Sequence, residues 1–407
     1  MKKLYLLLIS LFIFGCAGSG RYSDDVSTDR YKFDSPVVRV LLGSYTKPYS
    51  FLITTETDLI IDNRRTAVLK KGNKINLSSS GSIVEAEIGK KVFSGKSLIF
   101  LPAQKNNYVT YGTLPYRGTI EFKNDNGKLL VINRVSIEDY LKGVLPVEMG
   151  VKNNPDYFEA LKAFAITART FALKKLERKS THFDFYADTR DQVYKGVKFE
   201  TRDDIDAVNT TKGMVLKYNS VLATVFYHSS CGGVLEDAGN IFSFSTNLPY
   251  LNSKSDGNPP NCSISPSFAW KEEYSTDKVG EFLISAGYMK SYTEIIDMRI
   301  KSTFSSGRVS ELAIKLSNNE TVIIGAKEIR NVFRRTDNNG ILRSLLFNIE
   351  PVYDKEKLLK VVFTGNGNGH GVGFCQWGAM ALSKKGEKFR DILNLYFPHT
   401  QITKAYD

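Results

Sequence analysis

The 407-residue sequence predicts an α+β fold, with a β-rich N-terminal unit followed by a mixed α/β core. Three observations carry this expectation. Short alternating or β-branched runs broken by turn residues fill residues 36–118. One long helical pattern with many alanines follows at 155–179. After residue 213 strand-like runs return, and between about 265 and 350 strand-like and helical patterns mix.

At the N-terminus, Met1-Lys2-Lys3 precedes an apolar run over 4–14, the charge and hydropathy pattern of a secretory signal. The run is too short to span a bilayer comfortably. It ends in Ile13-Phe14-Gly15-Cys16, which resembles the lipobox of bacterial lipoproteins. That resemblance implies a lipid on Cys16 and an exported protein held at a membrane, facing the periplasm or the cell wall. A plain signal peptide cut near Ala17 or Gly18, with Cys16 discarded, is the other reading, because Phe14 is larger than lipoboxes usually tolerate. Both readings export the chain. Residues 17–35, rich in Gly, Ser, Asp and Arg, read as a tether.

From about 36 to 134 the runs lie at 37–42, 51–55, 67–69, 97–101, 118–122 and 129–133, and Asn124-Asp125-Asn126-Gly127 marks a turn between the last two. The core is expected from 119 to 407. Ser136 can cap a short helix through Val144, with Glu138 and Asp139 in its first turn and Pro146 ending it. Asn154-Pro155 then opens the long helix. Arg169 lies in its alanine stripe, either as an ion-paired side chain or as a buried group that helps build a site.

The net charge of +12, 42% hydrophobic content and 24% charged content describe an ordinary globular chain that favours polyanionic surfaces. An exported basic protein meets cell wall or anionic lipid, so nucleic acid is not the expected partner. Four polar, glycine-rich clusters are where chemistry is expected: the Pro146-Val-Glu148-Met block, 188–194, 227–233 and 369–378. The glycines at 365, 367, 369, 371 and 373 fit no G-x-G-x-x-G register and no Lys-Ser/Thr follows them, which speaks against a phosphate loop. No cofactor is expected.

The run V-S-I-E-D-Y-L-K-G-V-L-P-V-E-M, followed by E-A-L-K-A-F-A-I-T-A-R-T-F-A-L, resembles the stage II sporulation protein D / amidase-enhancer (SpoIID/LytB) family. So do Q-V-Y-K-G, Y-H-S-S-C-G-G, the C-S-I-S-P…W segment, S-G-R-V at 306–309 and G-H-G-V-G-F-C-Q-W-G-A. In order these blocks cover about 120–400, while 36–115 is matched only weakly. The resemblance implies a lytic transglycosylase that cuts peptidoglycan glycan strands, with Glu148 as the catalytic glutamate. Apolar neighbours Val144, Leu145, Val147 and Met149 can desolvate Glu148 and keep it protonated near neutral pH, as a general acid requires.

Arg169, Gln192, Tyr194, His228, Ser229, His370 and Gln376 are the candidates for glycan binding, and Trp377 is either core or a sugar-stacking face. Two other functions remain open. One is a non-catalytic glycan-binding enhancer of a cell-wall amidase; the other is a two-carboxylate muramidase pairing Glu148 with Asp188 or Asp191. Some family members bind zinc through a C-D-x-x-H-C-Q block, but the matching stretch here, 187–192, has neither cysteine nor histidine. That zinc site is expected to be absent, and no metal is assigned. For the remaining cysteines the expectation is a disulfide between Cys231 and Cys262 with Cys375 free. A closed zinc site of the three with His228 is the alternative.

Overall fold

The computed structural model describes residues 33–104, 106–178, 180–242 and 248–407. The expected signal, the lipidation site Cys16 and all but the last few residues of the tether lie outside the described residues. Among the described residues strands and helices are both abundant, and the strands dominate the N-terminal region. The fold is therefore α+β with a β-rich N-terminal part. No described helix is long and apolar enough to cross a membrane.

A seven-stranded sheet organises the first half. Its order is Phe185–Tyr186, Val37–Tyr45, Lys128–Ser136, Thr119–Asp125, Ser97–Pro102, Thr57–Ile61 and Arg64–Leu69. The sheet runs without interruption across residue 118, because Thr119–Asp125 pairs with Ser97–Pro102 on one side and with Lys128–Ser136 on the other. Asn126 and Gly127, both at positive φ, form the two-residue turn of that second pairing, the backbone that right-twisted hairpins favour. A four-stranded sheet, Tyr49–Leu52, Lys74–Ser80, Ile83–Ile88 and Lys91–Gly95, packs its apolar side against the first. Phe51, Phe100 and Phe122 meet there, with ring centroids 5.2–5.6 Å apart.

Strand Lys128–Ser136 is buried along nearly its whole length and feeds directly into the first helix, α1 (Ile137–Met149). The Ser136 hydroxyl caps α1 by accepting from the Asp139 N–H at 3.2 Å. Pro146 does not end this helix. It costs one internal hydrogen bond, yet α1 continues to Met149 and stops at Gly150, which takes the left-handed conformation (φ 64°) and donates to the Pro146 carbonyl. Glu148 consequently sits in the last turn of a helix.

Asn154-Pro155 opens a single 3₁₀ turn, and the long helix α2 (Phe158–Leu176) follows. Every residue from Ala163 to Thr170 is buried, so α2 is enclosed on all sides rather than amphipathic. Its alanines let α1 and the helices Arg202–Thr210, Gln376–Lys384 and Phe389–Tyr396 approach closely.

A second core, built around Trp270, Tyr274, Leu283, Met298, Ile314, Phe333, Phe347 and Phe363, lies under two three-stranded sheets of residues 269–366. Its strand Lys357–Asn366 delivers the glycine-rich loop to the first core.

Candidate active site

Three separate segments converge on Glu148. Its Oε1 accepts from the Val193 N–H at 2.7 Å and from the Tyr227 hydroxyl at 3.2 Å, and the Gln376 side-chain amide lies beside the carboxyl. Burial raises the Glu148 pKa, opposed by those three hydrogen bonds, and no carboxylate of the described residues enters the balance. Its place at the C-terminal end of α1, where the helix dipole is negative, acts in the same upward direction. The side chain is only partly buried, so the acid is reachable from solvent.

Tyr227 is aimed by α2, whose Phe164 packs edge-on against the tyrosine ring with centroids 4.9 Å apart. The short strand Tyr227–His228 pairs in parallel with Phe374–Cys375. That pairing places Tyr227 and Gln376 together over the carboxyl. Further pairing holds the two segments alongside each other, with Ser230 and Asn368 exchanging both backbone hydrogen bonds and Trp377 N–H donating to the Ser229 carbonyl at 3.0 Å.

His228 and His370 stack edge to face beside this pair, 5.4 Å between centroids. His228 Nδ1 donates to the Val372 carbonyl at 3.0 Å, and burial lowers its pKa to about 3, so the ring is neutral. His370 is held well below its ordinary value by the same cause, and its Nδ1 accepts from the Val372 N–H at 3.0 Å. The two rings therefore carry opposite tautomers. His370 and Ser229 are partly exposed, whereas His228 is buried. The loop can lie this close because Gly369 (φ 118°) has no side chain: a Cβ there would stand 2.7 Å from the His228 Cβ. At Gly371 an added Cβ would strike the Arg308 guanidinium at 2.3 Å. Arg308, from the S-G-R-V block, is fully buried and donates to the carbonyls of Cys231 and Val234 at 2.6 and 2.8 Å.

Three expected glycan ligands, Arg169, Tyr194 and Gln192, are at most 1% exposed. Arg169 has no exposure; its Nε and Nη2 take both oxygens of Glu138 at 3.0 and 2.7 Å, and further donors reach the Met214 and Val208 carbonyls. With its donors spent it holds α1, α2 and the strand Met214–Tyr218 together. Tyr194 is also buried, and its hydroxyl donates to Asn133 Oδ1 at 2.9 Å while its ring fills the space beside Gly143. Gln192 is fully enclosed, with its side-chain amide beside the Tyr227 hydroxyl. Asp191 pairs with Lys175, and Asp188 pairs with Arg190 on the surface.

The cysteines also depart from expectation. Cys231, Cys262 and Cys375 are all free and buried, and the Cys231 and Cys262 sulfurs stand 3.4 Å apart without a bond. Cys375 is not set apart from them: its Sγ accepts from the Cys231 N–H at 3.3 Å. The expected pair plus a lone thiol is replaced by one three-thiol cluster, which Asp256 joins. Tyr227 and Asp256 were not singled out from the sequence; Tyr227 was signalled only by its place beside His228, and Asp256 by nothing local.

Residues 125–218 match the SpoIID family, described as Stage II sporulation protein. That match covers less than a quarter of the chain. The matched segment contains Glu148, α2 and Gln192, while Tyr227 and Gln376 reach Glu148 from beyond the match. Residues 245–373 match a domain of unknown function (DUF8618), which spans the second core. The chain is 29% identical over 370 residues to an uncharacterized protein of Brachyspira hyodysenteriae, covering 90% of this chain and 84% of that one. To the amidase enhancer of Bacillus subtilis it is 28% identical over 293 residues, 65% of this chain and 40% of the enhancer. To stage II sporulation protein D of Bacillus subtilis it is 26% identical over 292 residues, 67% of this chain and 76% of that protein.

Proposed function

We propose that this protein is a lytic transglycosylase of peptidoglycan in which Glu148 alone serves as acid and then base. The observation that carries the reading is a solvent-reachable carboxyl with a raised pKa and no second carboxylate among the groups that set it. Because Oε1 already accepts two hydrogen bonds, the proton of the neutral acid belongs on Oε2. The Gln376 amide suits both protonation states, since it can donate to a carboxylate or accept from an acid.

In the reaction, Glu148 gives its proton to the oxygen bridging N-acetylmuramic acid C1 and N-acetylglucosamine C4. The C1–O bond breaks with its electron pair leaving on that oxygen. The resulting Glu148 carboxylate takes the proton of the muramic-acid O6 hydroxyl as O6 bonds to C1, closing a 1,6-anhydro ring. No water is consumed, and Glu148 returns to its starting form. A hydrolase would instead need a carboxylate to activate water or to form a covalent intermediate.

The similarity to an amidase enhancer favours a second reading, in which the same site only binds glycan and recruits a cell-wall amidase. Mass analysis of products from purified glycan strands separates the three. Anhydro ends support the transglycosylase, reducing ends a muramidase, and unchanged strands the binding module. We further propose export and lipid anchoring at Cys16, which brings the site to the wall.

A further inference from the structure

Away from Glu148, three thiols and a carboxylate with no exposure form one cluster. A ligand atom from each of Cys231, Asp256, Cys262 and Cys375 lies within 4.8 Å of every other. We propose that these four residues bind one zinc ion in a closed, structural site. This proposal does not depend on the reaction assigned to Glu148.

The geometry is close to what the ion needs. Zinc bound to sulfur at about 2.3 Å sets neighbouring sulfurs of a tetrahedron roughly 3.8 Å apart. The Cys231 and Cys262 sulfurs, at 3.4 Å, are far beyond a disulfide bond of about 2.05 Å and a short adjustment from that edge. Thiolates select soft or borderline metals, and three sulfurs with one carboxylate oxygen make a four-coordinate set with no place left for water.

The surrounding hydrogen bonds orient the ligands. Asp256 Oδ1 accepts from the Tyr396 hydroxyl at 2.8 Å and Oδ2 from the Cys262 N–H at 2.9 Å, and each oxygen keeps a lone pair. The Cys231 N–H points at the Cys375 sulfur, an arrangement that stabilises a thiolate. Arg308, anchored on the Cys231 carbonyl, supplies a buried positive charge nearby. His228, the other candidate fourth ligand, keeps its Nε2 without a hydrogen-bond partner among the described residues, but it is not among the groups whose ligand atoms converge, and it is Asp256 that completes the set. None of the four comes from the 187–192 stretch.

The ligands come from three distant segments. Cys231 follows the strand of Tyr227, Cys375 ends the strand that precedes Gln376, and Asp256 and Cys262 belong to the loop between Lys254 and Ile264. An ion here would pin the Tyr227–His228 and Phe374–Cys375 strands to that loop, and so hold Tyr227 and Gln376 over Glu148. Binding would release the thiol protons to solvent.

The test uses the full chain purified without chelator. Element analysis is expected to find about one zinc per chain, with the three thiols unreactive until the metal is removed. Exchange for Co(II) should give a thiolate charge-transfer band and tetrahedral visible bands. The variant Asp256→Asn, which keeps the size of the side chain, should fold, bind zinc more weakly and lose metal to a chelator before the wild type does. A folded wild-type chain that gains two hydrogens on reduction holds a disulfide, and that result overturns the proposal. So does a folded chain with three titratable thiols and no metal after incubation with zinc.

Discussion

Glu148 owes its character to position. The final turn of α1 offers carbonyls rather than N–H groups, and packing removes water from part of the carboxyl, so the neutral acid gains on the anion. The folded chain therefore holds this proton more tightly than the unfolded chain does. Its stabilising contribution is complete below the unfolded pKa and is lost as pH rises through the folded one. Glu148→Gln should accordingly raise thermal stability above that pH range, and a loss of stability there would contradict the burial argument. Tyr227→Phe tests the opposing interaction. Removing a donor to a charged group worth about 1.5 kcal/mol should move the high-pH limb of kcat/KM up by roughly one pH unit; an unchanged limb would mean that the hydroxyl does not hold Oε1. At this scale the sequence was informative where chemistry and local motif coincide. The Pro146-Val-Glu148-Met block pointed to a carboxyl whose pKa burial raises, but nothing local separates Gln376, which reaches it, from Tyr194, whose hydroxyl is spent on Asn133. Such distinctions depend on partners 61 or more residues away in the chain.

The helices that carry the site show where local rules succeed and where tertiary packing overrides them. Ser136 caps α1 as its residue type predicts, but Pro146 fails as a terminator because α1 is held by α2 and by the strand before it. The terminator is Gly150, whose φ of 64° suits glycine. An added Cβ there meets nothing within 4 Å, so Gly150→Ala should cost backbone strain alone, about 1–2 kcal/mol, read as a lower denaturation midpoint at unchanged slope. No change would place the end of α1 elsewhere. Arg169 offers a larger effect. Its side chain and Glu138 are buried together, so Arg169→Met strands a carboxylate and should destabilise by roughly 3–5 kcal/mol. If the variant kept full stability while losing only glycan binding, Arg169 would belong to the glycan-binding site after all.

Across the whole molecule, the α+β class and the β-rich beginning were readable from alternating runs and the Asn-Gly turn. The continuity of the first sheet through residue 118 was not, because pairing of Thr119–Asp125 with Ser97–Pro102 leaves no mark in either strand's own pattern. The same holds for the thiol cluster, assembled from segments up to 144 residues apart. For anchoring, a fatty-acid analogue should label wild-type cells and leave Cys16→Ser unlabelled; equal labelling of both would remove the anchor. The central claim, that Glu148 is the single acid and base of a glycan-cleaving reaction, is tested most directly by one paired measurement. Wild type and Glu148→Gln are incubated with purified glycan strands, with co-sedimentation reporting binding and mass analysis reporting 1,6-anhydro ends. The account predicts retained binding and a loss of anhydro product of about 10²-fold or more in the variant, whereas anhydro ends formed at the wild-type rate by Glu148→Gln would contradict it.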